Sequence, residues 1–161
     1  MRKAHQLIVD YYGIRRAERS GVLLVNHIDE GLIILDYLKA TDIVKDAYCL
    51  HPILQSDVDF NHNKSLKFDE VPTESIILCM EYRRVANSYL SADNIKDFVG
   101  ISCEEIRQML IADKVQNYKD FLIYHSKTHE FRKRLDKYFN NWFKLLGISY
   151  DTVVNECKLI R

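Results

Sequence analysis

Turn-forming residues are scarce in this chain, which has five glycines and two prolines in 161 residues. Strands at short, regular spacing need far more such punctuation, so long helices are expected. No stretch approaches the ~20 consecutive apolar residues of a membrane span. The basic start, MRKAHQLIVDYYGIRR, also lacks the long apolar run and small-residue cleavage site of a signal peptide. A cytoplasmic protein without membrane association is the expectation. Neither sign of charge is in excess, since 23 basic and 23 acidic residues give a formal net charge of zero. That argues against bulk nucleic-acid binding, which rests on surplus positive charge, and leaves only a local basic patch open. The four cysteines (Cys49, Cys79, Cys103 and Cys157) are far apart and form no C-x-x-C pair. A zinc-knuckle spacing and a dense disulfide framework are thereby excluded, and buried, reduced thiols are expected. The glycines are isolated, so no phosphate loop or dinucleotide fingerprint competes, and no nucleophilic triad is visible.

What remains is an ordinary globular composition, 47% hydrophobic and 29% charged. Length, the absence of repeats and the absence of a linker predict one domain over 1–161, with a core over about 4–125 and C-terminal helices over about 128–159. A first helix is read over Arg2–Tyr12, ending near Gly13, followed by a charged connection, Ile14–Gly21. A second spans Leu24–Lys39. Thr41 caps a third over Asp42–Gln55. Asp57–Val71 reads as a loop with one short helical piece. Pro72-Thr73 opens a fourth helix to Ser91. Ser102 and Glu105 have capping-box spacing and start a fifth, running to His125. Thr128 starts a sixth, with an apolar stripe of Phe131, Leu135, Phe139, Trp142 and Leu146, and a last helix covers Tyr150–Leu159. The fold class predicted is all-α.

Several polar side chains fall on faces that should be buried, where ionisable groups need a partner, a metal or a function. At 100° per residue His27 shares a face with Gly31, Ile34, Leu35 and Leu38. His51 lies with Val44, Ala47 and Leu54, with Gln55 beside it. Asp113 lies among Ile106, Met109, Leu110 and Tyr124, and Asn117 joins it one turn on. Singly, such a histidine is most often a hydrogen-bonded core residue and such an aspartate a salt-bridge partner. Together they suit a metal site in a helical core. On the fourth helix Leu78, Tyr82, Val85 and Tyr89 form an apolar stripe. Arg83 and Asn87 lie opposite, with Glu81 and Arg84 between. A solvated Glu81–Arg84 pair is the favoured reading over a cationic wall for phosphate.

Three segments, in order, resemble the HD-type hydrolase domains of the RelA/SpoT family. Arg19-Ser20-Gly21-Val22-Leu23-Leu24-Val25-Asn26-His27 is similar to the family's R-S-G-x-P-Y-x-x-H entry. Thr41-Asp42-Ile43-Val44-Lys45-Asp46-Ala47-Tyr48-Cys49-Leu50-His51 looks like the approach to its H-D dipeptide. Leu110-Ile111-Ala112-Asp113-Lys114-Val115-Gln116-Asn117-Tyr118-Lys119-Asp120 resembles its L-A-D-K-x-x-N-x-x-D segment. The resemblance implies an HD-like helical bundle, a bound divalent transition metal (manganese, iron or zinc) and removal of pyrophosphate from guanosine polyphosphates. It implies metal ligation by His27, His51 and Asp113, and substrate-side roles for Arg19, with Arg16 as its alternative, and Asn117. The chain departs from the family where H-D becomes His51-Pro52, so one carboxylate ligand is gone. The family's following E-D pair is replaced by Gln55 and Ser56.

Two imidazoles and one carboxylate still form a three-ligand set. The function expected is metal-dependent hydrolysis of a nucleotide or related small phosphate ester. Gln55 would position water, which it can orient but not deprotonate. Asp57, Asp59 or Glu81 would stand in for the missing carboxylate, and Arg19, Arg84, Lys114 and Asn117 would contact phosphate or base. Pro52 is expected to kink or end its helix. The ligand expected is a small phosphorylated, nucleotide-like molecule, and homo-oligomerisation is left open. The alternative is an inactive HD-like module that senses a nucleotide or binds a protein, with the basic, aromatic helix carrying Arg132, Lys133, Arg134 and Lys137 as a partner surface.

Overall fold

A computed structural model describes residues 2–18, 20–62, 68–91 and 100–159, and over these the fold is all-α. The helices are α1 (Lys3–Tyr12), α2 (Val25–Tyr37), α3 (Asp42–Leu54), α4 (Asp57–His62), α5 (Thr73–Ser91), α6 (Glu104–Asp120), α7 (Arg132–Leu146) and α8 (Tyr150–Glu156). A five-residue π-turn, Phe121–His125, continues α6. No helix of the described residues is long and apolar enough to cross a membrane.

The chain divides into two compact units, one from 1–11 with 40–109, the other from 12–39 with 110–161. In the first, α3 packs against α5. Thr41 caps α3 as expected, its side chain accepting from the Val44 N–H. Val44, Ala47, Tyr48, Leu50 and Ile53 of α3 are fully buried, as are Cys79, Tyr82, Val85 and Ala86 of α5. The buried stripe of α5 therefore runs through Cys79 and Ala86; Leu78 is only half-buried. Pro52 lies inside α3, which ends two residues later at Leu54. Arg2 ties α1 to α3, bonding Asp42 and reaching Asp46 at 3.1 Å.

In the second unit, an antiparallel bridge between Arg16 and Leu23 closes the connection after Gly13. α2 buries Ile28, Ile34 and Leu35. Tyr118 centres an aromatic cluster, with Phe121, Phe139, Phe143 and Tyr150 at ring separations of 4.8–5.8 Å. α7 ends at Gly147 (φ 65°). Ile148 N bonds Phe143 O and Gly147 N bonds Lys144 O, a Schellman closure that needs a left-handed residue and so favours glycine.

Four sequence expectations change. Ser102 and Glu105 do not form a capping box, because α6 starts at Glu104. Ser102 Oγ instead donates to Glu81 (2.8 Å), while Glu105's own backbone N–H and then the Cys103 side chain hold its carboxyl low. Tyr124 leaves the Asp113 face and is exposed. The π-turn's wide bond, Ser126 N to Phe121 O, inserts an extra residue and so rotates the side chains of the turn away from the α-helical register. Phe131 is exposed because α7 begins one residue beyond it; its buried stripe is Phe139, Trp142, Phe143 and Leu146. None of the four cysteines forms a disulfide; Cys49 and Cys79 are buried, Cys157 is half-buried and Cys103 is exposed. Burial pushes the Cys79 thiol up to about 12. The side chains of Asp59 and Tyr89 lie outside the described residues.

Candidate metal centre

α6 carries the first component. From Met109 to Gln116 every residue is buried, so this stretch of the helix has no solvent face on which to place its polar residues. Asp113 and Lys114, each 5% exposed, form an ion pair, Lys114 Nζ to Asp113 Oδ2 at 2.6 Å. Burial pulls the Lys114 pKa down. The Asp113 carboxylate and then Tyr138 outweigh that and raise it, so Lys114 stays a cation. The rings of Trp142 (5.2 Å) and Tyr138 (5.8 Å) face its ammonium. Asp113 Oδ1 accepts from Asn117 Nδ2 (2.7 Å), the i,i+4 relation expected from the helix.

α2 brings in His27, whose Nε2 lies 3.5 Å from Asp113 Oδ1 and whose Nδ1 lies 2.6 Å from Gln116 Oε1. Gln116 Nε2 donates to Glu30 (3.1 Å) and Asp120 (2.9 Å). Lys119 Nζ bonds both Glu30 oxygens (2.6 and 2.5 Å) and lies 3.1 Å from Asp120. Its pKa is raised because these two carboxylates outweigh the lowering by burial.

α3 holds His51, 3% exposed. Its Nδ1 is 2.6 Å from the Tyr48 carbonyl, and its ring packs on Tyr48 (4.7 Å) and edge-on to Tyr82 (5.3 Å). His27 and Asp113, in one unit, and His51, in the other, are side chains that each offer one metal-ligand atom. The chemistry of the donors fits an ion. Tyr48 O and Gln116 Oε1 are carbonyl acceptors, so each neutral ring carries its hydrogen on Nδ1 and its lone pair on Nε2.

The other expected residues lie elsewhere or act differently. Gln55 follows the end of α3, and its carbonyl accepts from Arg83 Nε (2.8 Å) and Asn87 Nδ2 (3.2 Å). Those two residues thus hold a helix end, not an open wall. Arg83 also pairs with the exposed Asp57. Glu81 pairs with Arg84 (2.5 Å), as favoured from the sequence. Lys114 is engaged with Asp113 and buried under two rings, so it presents no ammonium to a phosphate in solution. Arg16 donates to the Gly21 carbonyl (2.7 Å), and Arg19 lies outside the described residues. A hollow of about 200 Å³ is lined by residues including Tyr12, Ser20, Leu24, His27, Gln116, Asn117 and Asp120.

Sequence reasoning missed Gln116, Lys119 and Glu30. The signal was available in α6, whose charged and amide residues point to every side and so cannot all reach solvent on one face.

The Glu81 pair has a measurable consequence. Hydrogen bonds from Arg84 and then Ser102 lower its pKa from an ordinary 4.5 to about 2. A depressed acid contributes stability above its unfolded pKa, and this is lost as pH falls through the folded value. Melting temperatures of wild type and Glu81→Gln should therefore differ at neutral pH and converge between about pH 4.5 and 2. A difference that persists at the acid end would contradict the pairing.

No family model matches this chain, and neither a curated protein nor a solved structure matches it.

Proposed function

We propose that this chain is a divalent-metal-dependent phosphohydrolase of the HD type, acting on a nucleotide or a related small phosphate ester. The observation that carries the proposal is His27 Nε2 at 3.5 Å from the buried Asp113 carboxylate, with the buried His51 as the proposed third ligand. Two imidazole nitrogens and one carboxylate suit zinc, iron or manganese, and three protein ligands leave positions open. An ion held there would lower the pKa of a bound water and polarise a phosphoryl oxygen.

The chain's own residues have separate tasks. His27, His51 and Asp113 would hold the ion. Asn117 steadies Asp113 through Oδ1. Gln55, one turn beyond His51, is the proposed water-orienting amide; it offers both a donor and an acceptor but takes no proton. The hollow beside His27 and Asn117, about 200 Å³, is below the ~300–1,000 Å³ of sites for drug-sized ligands. It would therefore take part of a nucleotide, and Arg19 and Arg84 are the candidate phosphate contacts. Resemblance of three ordered segments to HD hydrolase domains supports the same assignment.

A second reading is favoured by Lys114, whose ammonium 2.6 Å from Asp113 neutralises the carboxylate without any ion. On that reading the chain is a binding module that recognises a nucleotide or a protein. Elemental analysis of the purified chain, followed by a screen of nucleotides with added manganese, separates the two. Stoichiometric metal with manganese-dependent phosphate or pyrophosphate release is the expected result. A nucleotide-induced rise in melting temperature in metal-free protein, with no turnover, would select the binding module. Neither response would leave the histidines as core residues.

A further inference from the structure

We propose that Pro52 and Gln116 are positioning residues that hold His51 and His27 in the same neutral tautomer, with the hydrogen on Nδ1 and the lone pair on Nε2. A neutral histidine side chain in water prefers the opposite arrangement, so each ring needs its own device to reverse it.

For His51 the device is a missing hydrogen. In an α-helix the N–H of residue 52 would bond the carbonyl of residue 48. Proline has no N–H, so the Tyr48 carbonyl is released from that bond. His51 Nδ1 occupies it at 2.6 Å. A carbonyl oxygen only accepts, so Nδ1 must donate. Packing against Tyr48 and Tyr82 fixes the ring plane. The proline that replaces a carboxylate of the HD pattern thus acquires a function of its own.

For His27 the device is an amide whose orientation is locked. Gln116 presents either Oε1 or Nε2 to His27 Nδ1, and the two choices demand opposite tautomers. Glu30 and Asp120 decide it, since both accept from Gln116 Nε2. Reversing the amide would set its oxygen against two carboxylates. Lys119 in turn holds both carboxylates in place. Oε1 therefore faces His27 at 2.6 Å.

The consequence for metal affinity rests on the proposed function; the tautomers do not. Outer partners of a ligating histidine orient it and raise its basicity, and losing one costs about 10–100-fold in affinity. The experiment is long-range proton–nitrogen NMR of the labelled, metal-free full chain, with the two rings assigned from His27→Asn and His51→Asn. In wild type both rings should show a protonated Nδ1 and an unprotonated Nε2. Pro52→Ala returns an N–H to the Tyr48 carbonyl and should move His51 alone toward the Nε2–H form. Gln116→Met should move His27 alone. Each should weaken zinc binding by about 10–100-fold. Should Gln116→Met fail to fold, Glu30→Gln loosens the amide and should populate both His27 tautomers. A ring that keeps its hydrogen on Nδ1 in its own variant, or that carries it on Nε2 in wild type, overturns the proposal. If wild type binds no zinc but the tautomers move as expected, the inference stands and the metal reading fails.

Discussion

Asp113→Asn is expected to remove metal and turnover together and to destabilise the fold by about 3–5 kcal/mol. Both effects come from one buried charge. The substitution deletes the only carboxylate of the three proposed ligands, His27, His51 and Asp113. It also leaves Lys114, 5% exposed and held in its charged form, with no anion at 2.6 Å. Breaking a buried ion pair from one side is far more costly than replacing both partners. Asp113→Asn with Lys114→Met should therefore recover most of the lost stability while remaining metal-free. Lys114→Met alone removes a cation that repels the ion, so it should bind metal more tightly than wild type. Denaturant unfolding and elemental analysis on the same preparations read all three. Full metal occupancy in Asp113→Asn would falsify the ligand assignment.

Trp142→Ala is expected to cost about 3–5 kcal/mol, the range for deleting a buried aromatic side chain, and to lower the melting temperature by roughly 10 °C. Trp142 is fully buried on α7. Its ring faces the Lys114 ammonium at 5.2 Å and meets Tyr138 edge-on at 6.5 Å. The loss should exceed that of Phe131→Ala on the same stretch, because Phe131 is 54% exposed and leaves no cavity. Equal effects of the two substitutions in thermal unfolding would show that the buried stripe of α7 is misplaced.

Helix position is legible because its causes are local. Thr41 opens α3 and Ser149 opens α8, each accepting a backbone N–H three residues on; the first reads as a cap from the sequence alone. Gly13 comes just after the end of α1, and α5 runs from Thr73 to Ser91 as expected. Where local signals compete, the reading drifts. Thr128 looks like a cap, but the chain turns through His129 (Arg132 N to His129 O) before α7 starts. The π-turn at Phe121–His125 carries no distinguishing residue pattern, and it alone moves Tyr124 off the inward face.

The inward positions of His27, His51 and Asp113 are likewise legible, since 3.6-residue periodicity sets which face of a helix is apolar. Their pairing is not. Periodicity puts Arg83 and Glu81 on definite sides of α5 but does not say that Arg83 reaches the Gln55 carbonyl, nor that Ser102 turns to Glu81. Lys114 reads as a phosphate contact from its place in the segment that resembles the L-A-D-K pattern. Only packing puts Trp142 and Tyr138 over it.

The amino-acid order by itself determined that this is a helical protein, where most helices lie, and that His27, His51 and Asp113, the proposed ligands, turn inward. Those properties arise from hydrogen bonds and side-chain rotations within a few residues. Tertiary structure alone decided that an amide backed by two carboxylates meets His27 and that the Asp113 carboxylate lies between His27 and Lys114. Such distances depend on how whole helices pack, and packing is set by the shape and burial of side chains far apart along the chain.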